Sequence, residues 1–78
     1  MEYDKDKVDE MTLALLCLVM HGSKDEERVW KGFDWETMNR LHEKGYITDP
    51  RSKAKSVALL GDAARRSEEL FQKHFGKK

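Results

Sequence analysis

Arg40, Lys44, Arg51, Lys53 and Lys55 are five basic side chains between residues 40 and 55 of a 78-residue chain. Lysine and arginine clustered in this way meet phosphates, and a helix can also carry side chains to base edges in a major groove. Double-stranded DNA is therefore a candidate partner, with Arg40 and Lys44 on a helix and the other three near a hairpin tip. Asn39 has the donor and acceptor pair that reads an adenine edge, although one asparagine on a helix carries little information. Glu36 and Glu43 lie on the same stretch and would repel a phosphate backbone. The plainer reading of "RSKAK" is a hairpin tip whose positive charge blocks pairing with foreign strand edges.

Other chemistry is sparser. Cys17 and His21 stand four residues apart, which on a helix gives the common face that two zinc ligands share. No second Cys or His pair has a matching spacing, and Cys17 sits in an apolar run, where a lone thiol behaves as a small core residue. No metal or other cofactor is expected. His42 and Glu43 are neighbours on a helix and point apart, so they make no catalytic pair. So short a chain also leaves little room for a substrate pocket, and it is read as not an enzyme. Trp30 and Trp35 bracket "WKGFDW". Core packing is their first reading, and a partner surface is the second, because tryptophan is favoured at interfaces. Leu13, Leu16, Met20, Trp30 and Trp35 are the residues expected at such a partner or dimer surface.

These residues need elements to hold them. A first helix is predicted over residues 4 to 21, with Val8, Met11, Leu15, Leu18 and Val19 on one stripe. Leu13, Leu16, Cys17 and Met20 widen that stripe until the second half is apolar nearly all round, as a central helix or half of a dimer interface would be. Gly22 is expected to end it. Residues 22 to 29 read as a charged loop and 29 to 33 as a short extended piece. A second helix starts at the N-cap Asp34, buries Met38, Leu41 and His42, and stops at Gly45 with Tyr46 folding back onto Leu41. Tyr46 to Thr48 begins a strand, Asp49-Pro50-Arg51-Ser52 is a type I turn, and "KSVALL" returns as the second strand. A last helix spans about residues 62 to 75.

Composition narrows the class. Apolar and charged residues each make up 38% of the chain, net charge is zero and cysteine is single. A domain this small buries only about 60% of its unfolded surface, which argues for self-association. Residues 1 to 10 are acidic, five acidic against two basic, whereas residues 49 to 55 carry a net +2. A dedicated nucleic-acid binder has a general basic excess, and here the excess is only local. The acidic start lacks the pattern of a secretory signal, and the longest apolar run, "LALLCLVM", is eight residues. A membrane helix requires about 20, so the expectation is a soluble, cytoplasmic protein that does not enter a membrane.

The stretches "LHEKGYITDPRSKAKSVALL" and "GDAARRSEELFQKHF" resemble MarR- and PadR-type winged-helix regulators over about residues 35 to 75. That likeness implies a recognition helix, a basic wing and a final dimerisation helix. "DKVDEMTLALLCL", "WKGFDWETMNRLHEKGYI" and "DPRSKAKSVAL" resemble, over almost the whole chain, a family of short bacterial proteins known as a domain of unknown function. Two features depart from the winged-helix pattern. The supporting helix before the recognition helix would have to fit in residues 22 to 33, and Leu59-Leu60 stands where a Leu-Thr pair is usual, leaving Asp62 as a substitute cap. The expected architecture is a single α+β winged-helix-like domain over residues 1 to 78, three helices with a two-stranded wing. The expected function is a DNA-binding or accessory regulator touching phosphates through its wing. The alternative is a homodimeric protein-interaction module without DNA binding.

Overall fold

A computed structural model describes residues 1–22 and 26–77. The fold is α+β, with three helices and a three-stranded antiparallel sheet. Helix α1 (Lys5–Leu16) leads through a 3-10 turn (Cys17–Val19) into strand β1 (His21–Gly22) and strand β2 (Glu27–Trp30). Helix α2 (Trp35–Glu43), strand β3 (Ser56–Ala58) and helix α3 (Ala63–Phe75) follow. The molecule is a slab 36 × 35 × 18 Å.

Helix ends follow the local chemistry. The Asp4 side chain accepts from the Lys7 amide at 3.0 Å and starts α1. Asp34 caps α2 as expected, accepting from the Thr37 amide at 3.1 Å and the Thr37 hydroxyl at 2.7 Å. Asp34→Ala leaves that amide without its acceptor and should cost about 1 kcal/mol, read as a lowered urea midpoint. Helix α2 ends in the predicted Schellman arrangement. Gly45 has φ +85°, and the Gly45 and Tyr46 amides donate to the carbonyls of His42 and Leu41 at 2.9 and 3.0 Å. The cap expected of Asp62 is absent: its carboxylate takes a hydrogen bond from Arg65 at 3.3 Å instead.

Three expectations change. Helix α1 stops at Leu16 rather than near residue 21, because Met20 is extended and leads directly into β1. Residues 22 to 29, expected as loop, contribute Gly22 to β1 and residues 27 to 29 to β2, while 23–25 lie outside the described residues. The wing is not a two-stranded unit. Strand β2 is central, pairing with β1 on one side and with β3 on the other through Arg28–Ala58, Val29–Val57 and Trp30–Ser56. The expected strand at Tyr46 to Thr48 reduces to one bridge, Ile47 to Leu59. Its flanking bonds run from the Thr48 amide to Ala58 and from the Leu60 amide to Tyr46, at 3.0 and 2.8 Å. The Asp49–Ser52 turn forms, with the Ser52 amide donating to Asp49 at 3.2 Å.

The core is one cluster of Leu13, Ala14, Leu16, Val29, Met38, Leu41, Ile47, Val57 and Leu70, with Met20, Tyr46 and Leu59 packed against it. Helix α3 runs antiparallel to α1: the Ser67 hydroxyl donates to the Leu13 carbonyl at 2.5 Å, and His74 pairs with Glu10 at 2.8 Å. The stripe that α1 turns inward is Asp9, Thr12, Leu13 and Leu16. Of the predicted stripe, Leu15, Leu18 and Val19 are exposed, Leu15 41% and Leu18 67%, while Val8 and Met11 are half-buried. Two apolar stripes overlap on this helix, and the one that contains Asp9 is the one that went in.

Candidate functional site

The centre of the charged architecture is Asp9, which is only 2% exposed. A buried carboxylate is costly unless it is paired and hydrogen-bonded. Two cations from α2 and its C-cap meet that need. Arg40 Nε donates to both Asp9 oxygens, at 2.8 and 3.0 Å, and Lys44 Nζ donates to Asp9 Oδ2 at 2.8 Å. Spacing explains the convergence, since residues 40 and 44 are one helical turn apart and share a face. Arg40 is held further by Glu36 at 3.1 Å and the Thr37 hydroxyl at 3.2 Å, and Lys44 by Asp6 at 2.9 Å. Lys5 closes the outer edge on Glu36 at 3.3 Å.

Arg40 and Lys44 were expected to reach outward to phosphates, but the fold spends both on a carboxylate of α1. Among the described residues, the stretch between α1 and α2 holds a strand pair and a 3-10 turn where a helix-turn-helix has its supporting helix. The basic tip fares differently. Arg51 pairs with Asp49 at 3.1 Å, and none of the ion pairs among the described residues uses Lys53 or Lys55, both exposed. Lys31 Nζ donates to the Pro50 carbonyl at 2.9 Å and to the Ser52 carbonyl, so it anchors the tip.

The five residues expected at a partner surface do not form one surface. Leu13 and Leu16 are core residues and Met20 packs on the core, because α1 presents the Asp9 side to α2 and α3. Trp30 and Trp35 are 64% and 57% exposed, so the core reading of the tryptophans does not hold. Trp30 leans over Gly32, where an added Cβ would lie 2.8 Å from the indole. A different apolar face stands open. Arg66 and Leu70 share a cavity with Asp6, Asp9 and Lys44, so that side of α3 looks toward α2. Phe71 and Phe75, their centroids 5.3 Å apart, lie on the opposite flank. Leu15 of α1, Leu18 and Val19 of the 3-10 turn and Phe75 of α3 are exposed apolar side chains, with Val8, Met11 and Phe71 half-buried. The sequence signal for this face was the stripe of Val8, Met11, Leu15, Leu18 and Val19, expected on a central helix or at half of a dimer interface.

Cys17 and His21 share no helix face, since one lies in the 3-10 turn and the other in β1. Burial pushes the Cys17 thiol up, and the charges of Glu68 and Glu27 add to that, which holds it protonated. Several carboxyls are displaced the other way. Hydrogen bonds from Lys44 lower Asp6, from His74 lower Glu10, from the Thr37 hydroxyl lower Asp34, and from Arg51 lower Asp49. A carboxyl lower in the folded than in the unfolded state stabilises fully above its ordinary value, and that stability is lost as pH falls through the folded value. The ordinary values are 3.8 for aspartate and 4.5 for glutamate. Thermal midpoints should therefore hold near neutral pH and drop progressively below pH 4.5. A midpoint unchanged down to pH 2 would contradict the pairing.

Comparison with known proteins places the whole frame in one group. Residues 4–77 match the family described as Domain of unknown function (DUF6429). The chain is also 53% identical over 75 residues to "Uncharacterized protein y4hR" of Sinorhizobium fredii (strain NBRC 101917 / NGR234). That match covers 96% of this chain and 97% of the relative. No solved structure matches. Among the described residues, no helix is long and apolar enough to cross a membrane.

Proposed function

The chain belongs to the DUF6429 family, and from that premise we propose that it is a self-associating interaction module on a winged-helix-like frame. The observation that carries this reading is the open apolar face of α1 and α3. Leu15 and Leu18 stand out of the molecule, and α3, which packs along α1, carries the tilted ring pair Phe71 and Phe75. A second copy is the natural cover for the surface. The chain exposes 5647 Å², about 750 Å² more than the roughly 4,900 Å² expected of a compact 9.1 kDa monomer. One partner's share of a standard interface is about 800 Å², so closing the face on a copy of itself removes an excess of the right size. The shared face on two protomers gives a two-fold, isologous contact.

Duplex recognition through α2 fits the geometry less well. It would need Arg40 and Lys44 to leave Asp9, stranding a carboxylate that is almost fully enclosed. Sedimentation equilibrium tests the proposal. At high micromolar concentration the expected mass is twice 9.1 kDa. Leu15→Glu with Leu18→Glu should raise the dissociation constant by roughly thirtyfold or more, since both lie in the middle of the face. A wild-type chain that sediments as a monomer at that concentration sinks the reading.

A further inference from the structure

The two tryptophans and the basic tip belong to one edge of the molecule, and self-association through α1 and α3 uses neither. Strand β2 ends at Trp30, paired with Ser56 of β3. The next residue ties this edge to the tip twice. The Lys31 amide donates to the Lys55 carbonyl at 3.2 Å, and its ammonium holds the carbonyls of Pro50 and Ser52. The segment carrying Trp30 and Phe33 is thus fastened along the segment carrying Arg51, Lys53 and Lys55. Trp35 follows at the start of α2. All three aromatic rings are exposed, as are the three basic side chains.

Aromatic rings left in water beside cations call for a ligand with both flat faces and negative charge. We propose that this edge binds single-stranded nucleic acid, with bases stacking on Trp30, Phe33 or Trp35 and phosphates meeting Lys53 and Lys55. Base stacking on an aromatic side chain is sequence-tolerant and asks for no groove, so it does not depend on the helix that α1 has engaged. A duplex hides its base faces and offers this edge only phosphates. An acidic peptide without aromatic residues has charge but no faces to stack. The neutral whole and the single +2 tip limit the electrostatic part, so binding is modest and strongly weakened by salt.

The chain's two tryptophans are the probe, because both lie in the proposed site. Titrating the full chain at low salt with a twelve-residue oligothymidylate should quench their fluorescence in a saturable way. The logarithm of the affinity should fall against that of salt concentration with a slope of about −1.4, the value for two phosphate contacts on a single strand. Lys53→Ala with Lys55→Ala touches only exposed side chains, keeps the fold and should weaken binding by roughly tenfold at low salt. Trp30→Ala should weaken it by on the order of tenfold as well, with loss of part of the quenching. No quenching at low salt overturns the proposal. So does equal binding of a duplex of the same length, or of a polyglutamate matched in charge, since either would reduce the edge to a general charge contact or a protein site.

Discussion

Asp9→Asn lowers the thermal midpoint by on the order of 10–20 °C, read by circular dichroism at neutral pH. The amide keeps the size of the side chain and removes its charge, leaving Arg40 and Lys44 directed at a group that no longer compensates them. Removing one partner of a buried pair costs about 3–5 kcal/mol where the charges are enclosed. Here Lys44 retains access to water, which lowers the expected loss to roughly 2–4 kcal/mol. In a domain of this size each kcal/mol moves the midpoint by about 4–8 °C. The combined replacement Asp9→Leu, Arg40→Met and Lys44→Met should recover most of that loss, because an apolar set of similar volume avoids the desolvation cost. A midpoint that moves by less than about 2 °C in Asp9→Asn would show that the carboxylate is not the anchor of α2.

Leu13→Ala is the second large effect, and it separates the core face of α1 from the exposed face that Leu15 occupies on the same turn. Leu13 is 1% exposed, inside the cluster that joins α1 to α2, the sheet and α3. Truncation removes buried methyl groups and leaves a cavity, at a cost of about 2–5 kcal/mol. Its effect on urea unfolding should be the same at low and high protein concentration once dimerisation is removed by Leu15→Glu and Leu18→Glu. Leu15→Ala, two residues on, should cost the monomer less than about 1 kcal/mol, since an exposed leucine loses little transfer free energy on truncation. A Leu13→Ala variant as stable as the wild type would place that residue at a partner surface after all.

Much of the fold was legible because its signals are local. Asp34, Gly45 and the Asp49–Ser52 turn act within a few residues of themselves, and each does in the structure what its type predicts. Strand identity was less legible. The piece at Glu27 to Trp30 becomes the centre of the sheet only because β3 comes back to it from 28 residues away, as the Arg28 hydrogen bonds to Ser56 record. The candidate sites were legible as residue types and not as surfaces. Lys53 and Lys55 remain where a hairpin tip puts them. Arg40 and Lys44 do not remain available, because their partner is an aspartate on another helix, and no spacing in the sequence links residue 9 to residue 40 or 44.

The sequence by itself determined the fold class, the three helices, the stop of α2 at Gly45, and a locally basic tip on a neutral chain. These follow from caps, glycines, turn residues and charge counts, which operate without knowing what lies across the core. Only the tertiary structure decided which of two overlapping stripes on α1 turns inward. The stripe with Asp9 went in because α2 offers two cations one turn apart to satisfy it, and a buried carboxylate is costly without them. That single choice put Leu13 and Leu16 in the core, left Leu15 and Leu18 outside, and paired Arg40 and Lys44 with Asp9.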